Sequence, residues 1–168
     1  MNTLLILAQH GFQDFELSGT RDALLDAGFD VVLGSTSVGP CTGKFGSIEQ
    51  ATVAIADVGI EAFDRIAFIG GPGAAVLADD VDCQRIAKAQ VDAKKPLGAI
   101  CIAPTILAKA GVLRGKKATV WDRAHEQASL LEVCGATYTG EPVTVDGLMV
   151  TANGPEAAPQ FGRVFAAL

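Results

Sequence analysis

One cysteine in this chain stands where a reactive thiol is commonly built. Leu97-Gly98-Ala99-Ile100 reads as a buried strand and Ile102 to Ala110 as a helix, so Cys101 falls on the junction. Ala99 and Ala103 lie two residues to either side of it. This is the small-x-nucleophile-x-small spacing of a nucleophile elbow, where larger side chains would clash across the tight turn. A thiol there faces the N-terminus of the following helix, whose unpaired N–H groups and macrodipole favour thiolate, so a depressed pKa is expected. The spacing alone also fits a small buried hydrophobe, the commonest fate of an unpaired cysteine. Cys41, Cys83 and Cys134 lack such a setting and read as structural.

Groups able to assist the thiol are few. The first apolar run leads into His10-Gly11-Phe12-Gln13-Asp14-Phe15-Glu16. Glu16 falls in the first turn of a helix on the same sheet edge as Cys101, although a solvated charge favoured by the helix dipole would read the same way. His10 and His125 are the only histidines, so a Cys-His mechanism must use one of them. His10 is on the correct edge, in what reads as a loop. Gly70-Gly71-Pro72-Gly73 ends another strand, and its backbone N–H groups could hold a negatively charged oxygen or simply form a tight turn. A dinucleotide fingerprint belongs on the first strand-helix turn, where this chain has only Gly11.

The elements that must position these residues alternate along the chain. Short apolar runs at 3–8, 30–35, 51–54, 64–69, 97–101, 117–121, 143–145 and 148–152 read as strands. Amphipathic stretches at 14–27, 73–79, 82–93, 103–110, 122–133 and 155–166 read as helices. The alternation predicts an α/β fold, a mainly parallel sheet with helices on both faces, whose functional groups collect at the carboxyl ends of the strands. Asp14 is placed to cap the first helix, Gly28 and Gly111 to close helices, and Pro104 and Pro155 to begin them. Residues 36–50 read as a loop or small hairpin.

Composition narrows the partners. A hydrophobic share of 49% in 168 residues suits one compact domain spanning 1–168. Thirteen basic against nineteen acidic residues leave a net charge of −6, and no basic face is available for nucleic acid. Arg114, Lys116 and Lys117 fit a polar turn. The N-terminal apolar run, Leu4 to Ala8, is too short for a signal peptide or membrane span, so a cytoplasmic protein without membrane association is expected. The cysteines form no C-x-x-C pair, which points to free thiols and no metal site.

Taken together, these residues resemble the ThiJ/PfpI superfamily, in particular its DJ-one-like members. The likeness spans nearly the whole chain and rests on Phe12 to Leu17, Thr42-Gly43-Lys44, Phe63-Asp64 leading to Gly70-Gly71, Ala99-Ile100-Cys101 with Pro104, Ala110 to Lys117, Val145-Asp146-Gly147, and Asn153-Gly154-Pro155. The resemblance implies a flavodoxin-like three-layer sandwich, a homodimer or larger assembly, and no cofactor. It also implies an oxidation-prone elbow cysteine hydrogen-bonded by a first-helix glutamic acid, roles that fall on Cys101 and Glu16. Oxyanion donors would be the N–H groups of Gly71 and Ile102.

Departures from the family pattern bear on function. Protease-like members carry a histidine after the cysteine and a glutamate beyond the Gly-Gly, where this chain has Ile102 and, approximately, Ala75. DJ-one-like members often place a histidine where Trp121 stands, and an aromatic there also occurs in the protease-like branch, so Trp121 suggests a pocket wall. Cofactor-free chemistry on small reactive carbonyls, of the glyoxalase or deglycase kind, is therefore the first expectation. A redox sensor whose partner is an oxidant is the second. A cysteine peptidase or amidase ranks last.

Overall fold

The computed structural model describes residues 1–168. The chain begins with β1 (Asn2–Ile6), β2 (His10–Phe12) and α1 (Asp14–Asp26), then β3 (Asp30–Ser35), β4 (Gly39–Gly43), β5 (Ile48–Ala51) and β6 (Val53–Ala54). Next come β7 (Arg65–Phe68), α2 (Ala74–Leu77), α3 (Val81–Asp92), β8 (Leu97–Ile100), α4 (Pro104–Lys109) and β9 (Lys117–Ala118). It ends with α5 (Glu126–Val133), β10 (Thr137–Tyr138), β11 (Val143–Asp146), β12 (Met149–Ala152) and α6 (Ala158–Ala167).

Seven strands form one sheet in the order β11-β12-β8-β7-β1-β3-β6. All neighbours are parallel except β11 against β12. The period-2 alternation of side chains explains the layers. Leu4 and Ile6 of β1 and Ile66 and Phe68 of β7 join one core with Ile86 of α3, Ile106 of α4 and Leu131 of α5. Leu5, Leu7, Ala67 and Ile69 join the other with Leu17 and Leu24 of α1 and Phe161 and Phe165 of α6. Central strands covered on both faces must be apolar throughout, which is why they read as continuous runs. The result is the flavodoxin-like three-layer sandwich that the resemblance implies.

Several boundaries differ from expectation, each for a visible reason. The run 117–121 is a strand only over Lys117–Ala118, paired with β10 outside the main sheet. Beyond it, Thr119 N–H donates to Thr151 Oγ1 at 2.9 Å and Trp121 N–H to Cys101 O at 2.8 Å, so these donors leave the ladder. The helix expected over 122–133 begins at Glu126, because His125 at φ +59° breaks the helical path. Residues 155–157 form a 3₁₀ turn before α6, and residues 36–50 hold the β4–β5 hairpin. His10 to Phe12, read as loop, pairs with β4.

Asp14 does not cap α1. Gln13 is the N-cap, its Oε1 accepting from Phe15 N–H at 2.7 Å and Glu16 N–H at 3.4 Å. The Asp14 carboxylate instead accepts from Phe45 N–H at 2.9 Å and from Ser47 N–H at 3.0 Å and Oγ–H at 2.5 Å. These bonds hold its carboxyl below the usual range against the opposing effect of burial. The hairpin is thereby tied to the first turn of α1. No helix is long and apolar enough to cross a membrane.

Candidate active site

β8 ends at Ile100, α4 begins at Pro104, and Cys101 lies between them with φ +63°. Holding a non-glycine residue in this left-handed region costs about 1 kcal/mol, and flanking bonds stabilise it here. Cys101 N–H donates to Ala152 O at 2.8 Å, and Cys101 O accepts from Trp121 N–H at 2.8 Å. The thiol residue is thus pinned between β12 and the segment carrying Trp121.

Glu16 arrives from α1. Glu16, Leu17, Thr20 and Leu24 make the buried stripe of that helix, so a carboxyl occupies a core-facing position with no solvent exposure. Its Oε2 accepts from Gly70 N–H at 3.0 Å. A Cβ at Gly70 would lie 2.5 Å from Cys101 Cβ and 2.6 Å from Glu16 Oε2, so the missing side chain lets thiol and carboxyl close on one another. Next to it, Gly71 has φ +104°, and a Cβ there would lie 2.5 Å from Gln13 N. The carboxyl also contacts the Cys101 thiol, while Oε1 makes no hydrogen bond of strict geometry. The sulfur contact is therefore the looser of the two.

Burial pushes Glu16 up from 4.5 to about 7, opposed by the Cys101 contact, the Gly70 N–H and the Lys44 charge. Burial, followed by the Glu16 charge, pushes Cys101 up from 9.0 to about 12, while the N–H groups of Gly71 and Ile102 facing the sulfur pull it down. The depressed thiol pKa expected from the helix N-terminus is thus corrected. α4 has only six residues and starts three positions beyond the sulfur's residue, too little dipole to offset burial. The two groups are coupled: Glu16 ionises first, near 7, and its charge then helps to keep the thiol protonated.

Gln13, Glu16, Lys44, Gly71, Pro72, Cys101, Ile102, Trp121 and Pro155 line a cavity of about 330 Å³ over the sulfur. Trp121 forms part of its wall. His10 does not line it: pairing of β2 with β4 leaves His10 exposed on the side sheet. His125 is also outside, its ring almost fully exposed and 3.3 Å from Asp122. Lys44 and the pocket role of Gln13 escaped sequence reasoning. The signal for Lys44 was a cation at the tip of a predicted hairpin, which says nothing of what the hairpin folds over.

A smaller cavity of about 230 Å³ lies around Lys95 and Asp146, where β8 and β12 begin, at the far end from Cys101. Lys95, Lys116 and Asp146 in its lining already have partners. Lys95 donates to Ile60 O and Phe63 O, and Lys116 pairs with Asp146 at 3.1 Å. All four cysteines are free thiols. Cys83 is buried with its thiol pKa pushed up by burial and Asp80, as suits a structural residue.

The sequence model of the DJ-1/PfpI family matches residues 2–168. The chain belongs to this family. A protein from Thermococcus kodakarensis named deglycase is 30% identical, with 98% of each chain covered. A Bacillus subtilis protein named putative cysteine protease is 32% identical over 95% of this chain and 94% of its own. A Caenorhabditis elegans protein named glutathione-independent glyoxalase is 29% identical over 95% and 84%. The crystal structure of a ThiJ/PfpI domain protein from Brachyspira murdochii superposes with a TM-score of 0.94 at 30% identity, covering 99% of this chain and 94% of that one.

Proposed function

We propose that this DJ-1/PfpI protein is a cofactor-independent enzyme acting on small reactive carbonyls such as methylglyoxal or its early adducts. The observation that carries the reading is the Cys101–Glu16 pair, enclosed in one cavity that no histidine lines. As the sulfur bonds to the aldehyde carbon, Glu16 accepts the thiol proton, and the N–H groups of Gly71 and Ile102 hold the developing oxyanion. Return of the proton to that oxygen completes a hemithioacetal. For a 2-oxoaldehyde, the same carboxyl then moves a proton from the sulfur-bearing carbon to its neighbour through an enediol. Water cleaves the resulting thioester to a 2-hydroxy acid and frees the thiol. A carboxyl titrating near 7 suits a group that must both take and give a proton at neutral pH.

Methylglyoxal turnover by purified protein tests this. Activity is expected in the wild type and absent from Cys101→Ser, and equal activity in the two would overturn the proposal.

A second reading is a redox sensor, favoured by the N–H donors around the sulfur, which would also hold the oxygens of a sulfinate. A gain of two oxygens on Cys101 after mild peroxide, in protein that turns over no carbonyl, would support it instead. Peptidase chemistry has less support, because neither histidine reaches the cavity to shuttle a proton to a leaving amine.

A further inference from the structure

We propose that Lys44 and the side-chain amide of Gln13 form an anion clamp beside Cys101, selecting reactive carbonyl compounds that carry a carboxylate. The proposal rests on the carbonyl-directed reading above and narrows its substrate class.

Lys44 and Glu16 are the only charged side chains lining the cavity. Lys44 makes no ion pair, and its ammonium lies 5.2 Å from the Phe45 ring centroid. Its place over the cavity is built into the fold. Lys44 N–H donates to Phe12 O at 2.7 Å, and the hairpin tip is held by the Asp14 carboxylate through Phe45 and Ser47. Those bonds occupy Asp14, leaving the Lys44 charge available.

Gln13 lines the same cavity and is only 8% exposed. Capping α1 occupies its Oε1, which fixes the orientation of the amide. Nε2 is therefore the free end, two donors with no acceptor in the protein. Nε2 is not among the side-chain atoms sealed from solvent without a partner, so it is open to the cavity, where a ligand acceptor can take the place of water. A neutral aldehyde offers little to an ammonium, whereas a carboxylate accepts charge-assisted bonds from both groups. In a chain of net charge −6, with the Glu16 carboxyl lining the same cavity, the Lys44 ammonium also offsets the repulsion that an acid would otherwise meet. The covalent step is unchanged: sulfur adds to carbon, and the thiol proton passes through Glu16 to the alkoxide.

The test compares alkylation of Cys101 by iodoacetate and by iodoacetamide, mapped by peptide mass. Both reagents report the same thiol, so their rate ratio isolates recognition of the charge. The ratio is expected to fall about tenfold in Lys44→Gln, and in the wild type to fall as salt is added. Gln13→Glu is expected to lower it too, because it keeps a capping oxygen and replaces the donors with a negative charge. A ratio unchanged in Lys44→Gln overturns the clamp. The measurement needs no turnover: protein inactive on every carbonyl but with a responsive ratio would sink the enzymatic reading and uphold the clamp. Intact methylglyoxal turnover with an unresponsive ratio would do the reverse.

Discussion

Gly70 N–H donates to Glu16 Oε2 at 3.0 Å, joining two residues 54 positions apart in the chain. This bond connects the first turn of α1 to the turn after β7. Because Gly70 also lies against Cys101 Cβ, it sets where the carboxyl meets the sulfur. Carboxyl, glycine turn and thiol behave as one assembly, and each part can be perturbed separately.

Removing the sulfur should remove the chemistry. Cys101→Ser is expected to lower methylglyoxal turnover by at least about 100-fold, a typical loss for a missing nucleophile or its proton partner. Steady-state product formation checks this, with circular dichroism to confirm that the variant is folded.

The coupling of Glu16 to Cys101 should be visible in the reactivity of the thiol. The iodoacetamide rate at Cys101 is expected to rise with pH around a midpoint near 7, where Glu16 ionises and becomes able to accept the thiol proton as the sulfur attacks. In Glu16→Gln only the thiol titrates, and the step near 7 should vanish. Its persistence in that variant would assign the step to another group.

Ionising Glu16 should cost stability. Its pKa rises from 4.5 to about 7 on folding, so the folded state binds the proton more tightly than the unfolded chain. The contribution is fully present below pH 4.5 and is lost as pH rises through about 7. The loss amounts to about 3 kcal/mol. Urea unfolding of wild type and Glu16→Gln across this range should show the decline in the wild type alone.

The glycine turn should tolerate no side chain. Gly71→Ala must place a Cβ 2.5 Å from Gln13 N at φ +104°, and is expected to cost about 2–4 kcal/mol. A shift in the urea midpoint measures it. The same change should slow alkylation of Cys101, since the Gly71 N–H faces the sulfur.

Much of the architecture was legible because its causes are local. The continuous apolar run through β1 marks a strand covered on both faces, and Gly28 and Gly111 close helices at φ +83° and +79° as their positions suggested. Local patterns misled where a distant group competed for the same donor or acceptor. Asp14 has the chemistry of a helix cap, but the hairpin tip at Phe45 and Ser47 takes its oxygens and leaves the capping to Gln13. Trp121 looks like the end of a strand, but its N–H turns to Cys101.

By itself the sequence determined the layered α/β fold and placed Cys101 between a buried strand and a helix flanked by alanines, because these follow from side-chain period and size over a few residues. The family likeness added Glu16. Only the tertiary structure decided that burial outweighs a short helix dipole at the thiol, that both histidines stay outside the cavity, and that Lys44 and the free end of Gln13 line it. Those outcomes depend on desolvation and on contacts between segments far apart in the chain, which spacing along the sequence does not encode.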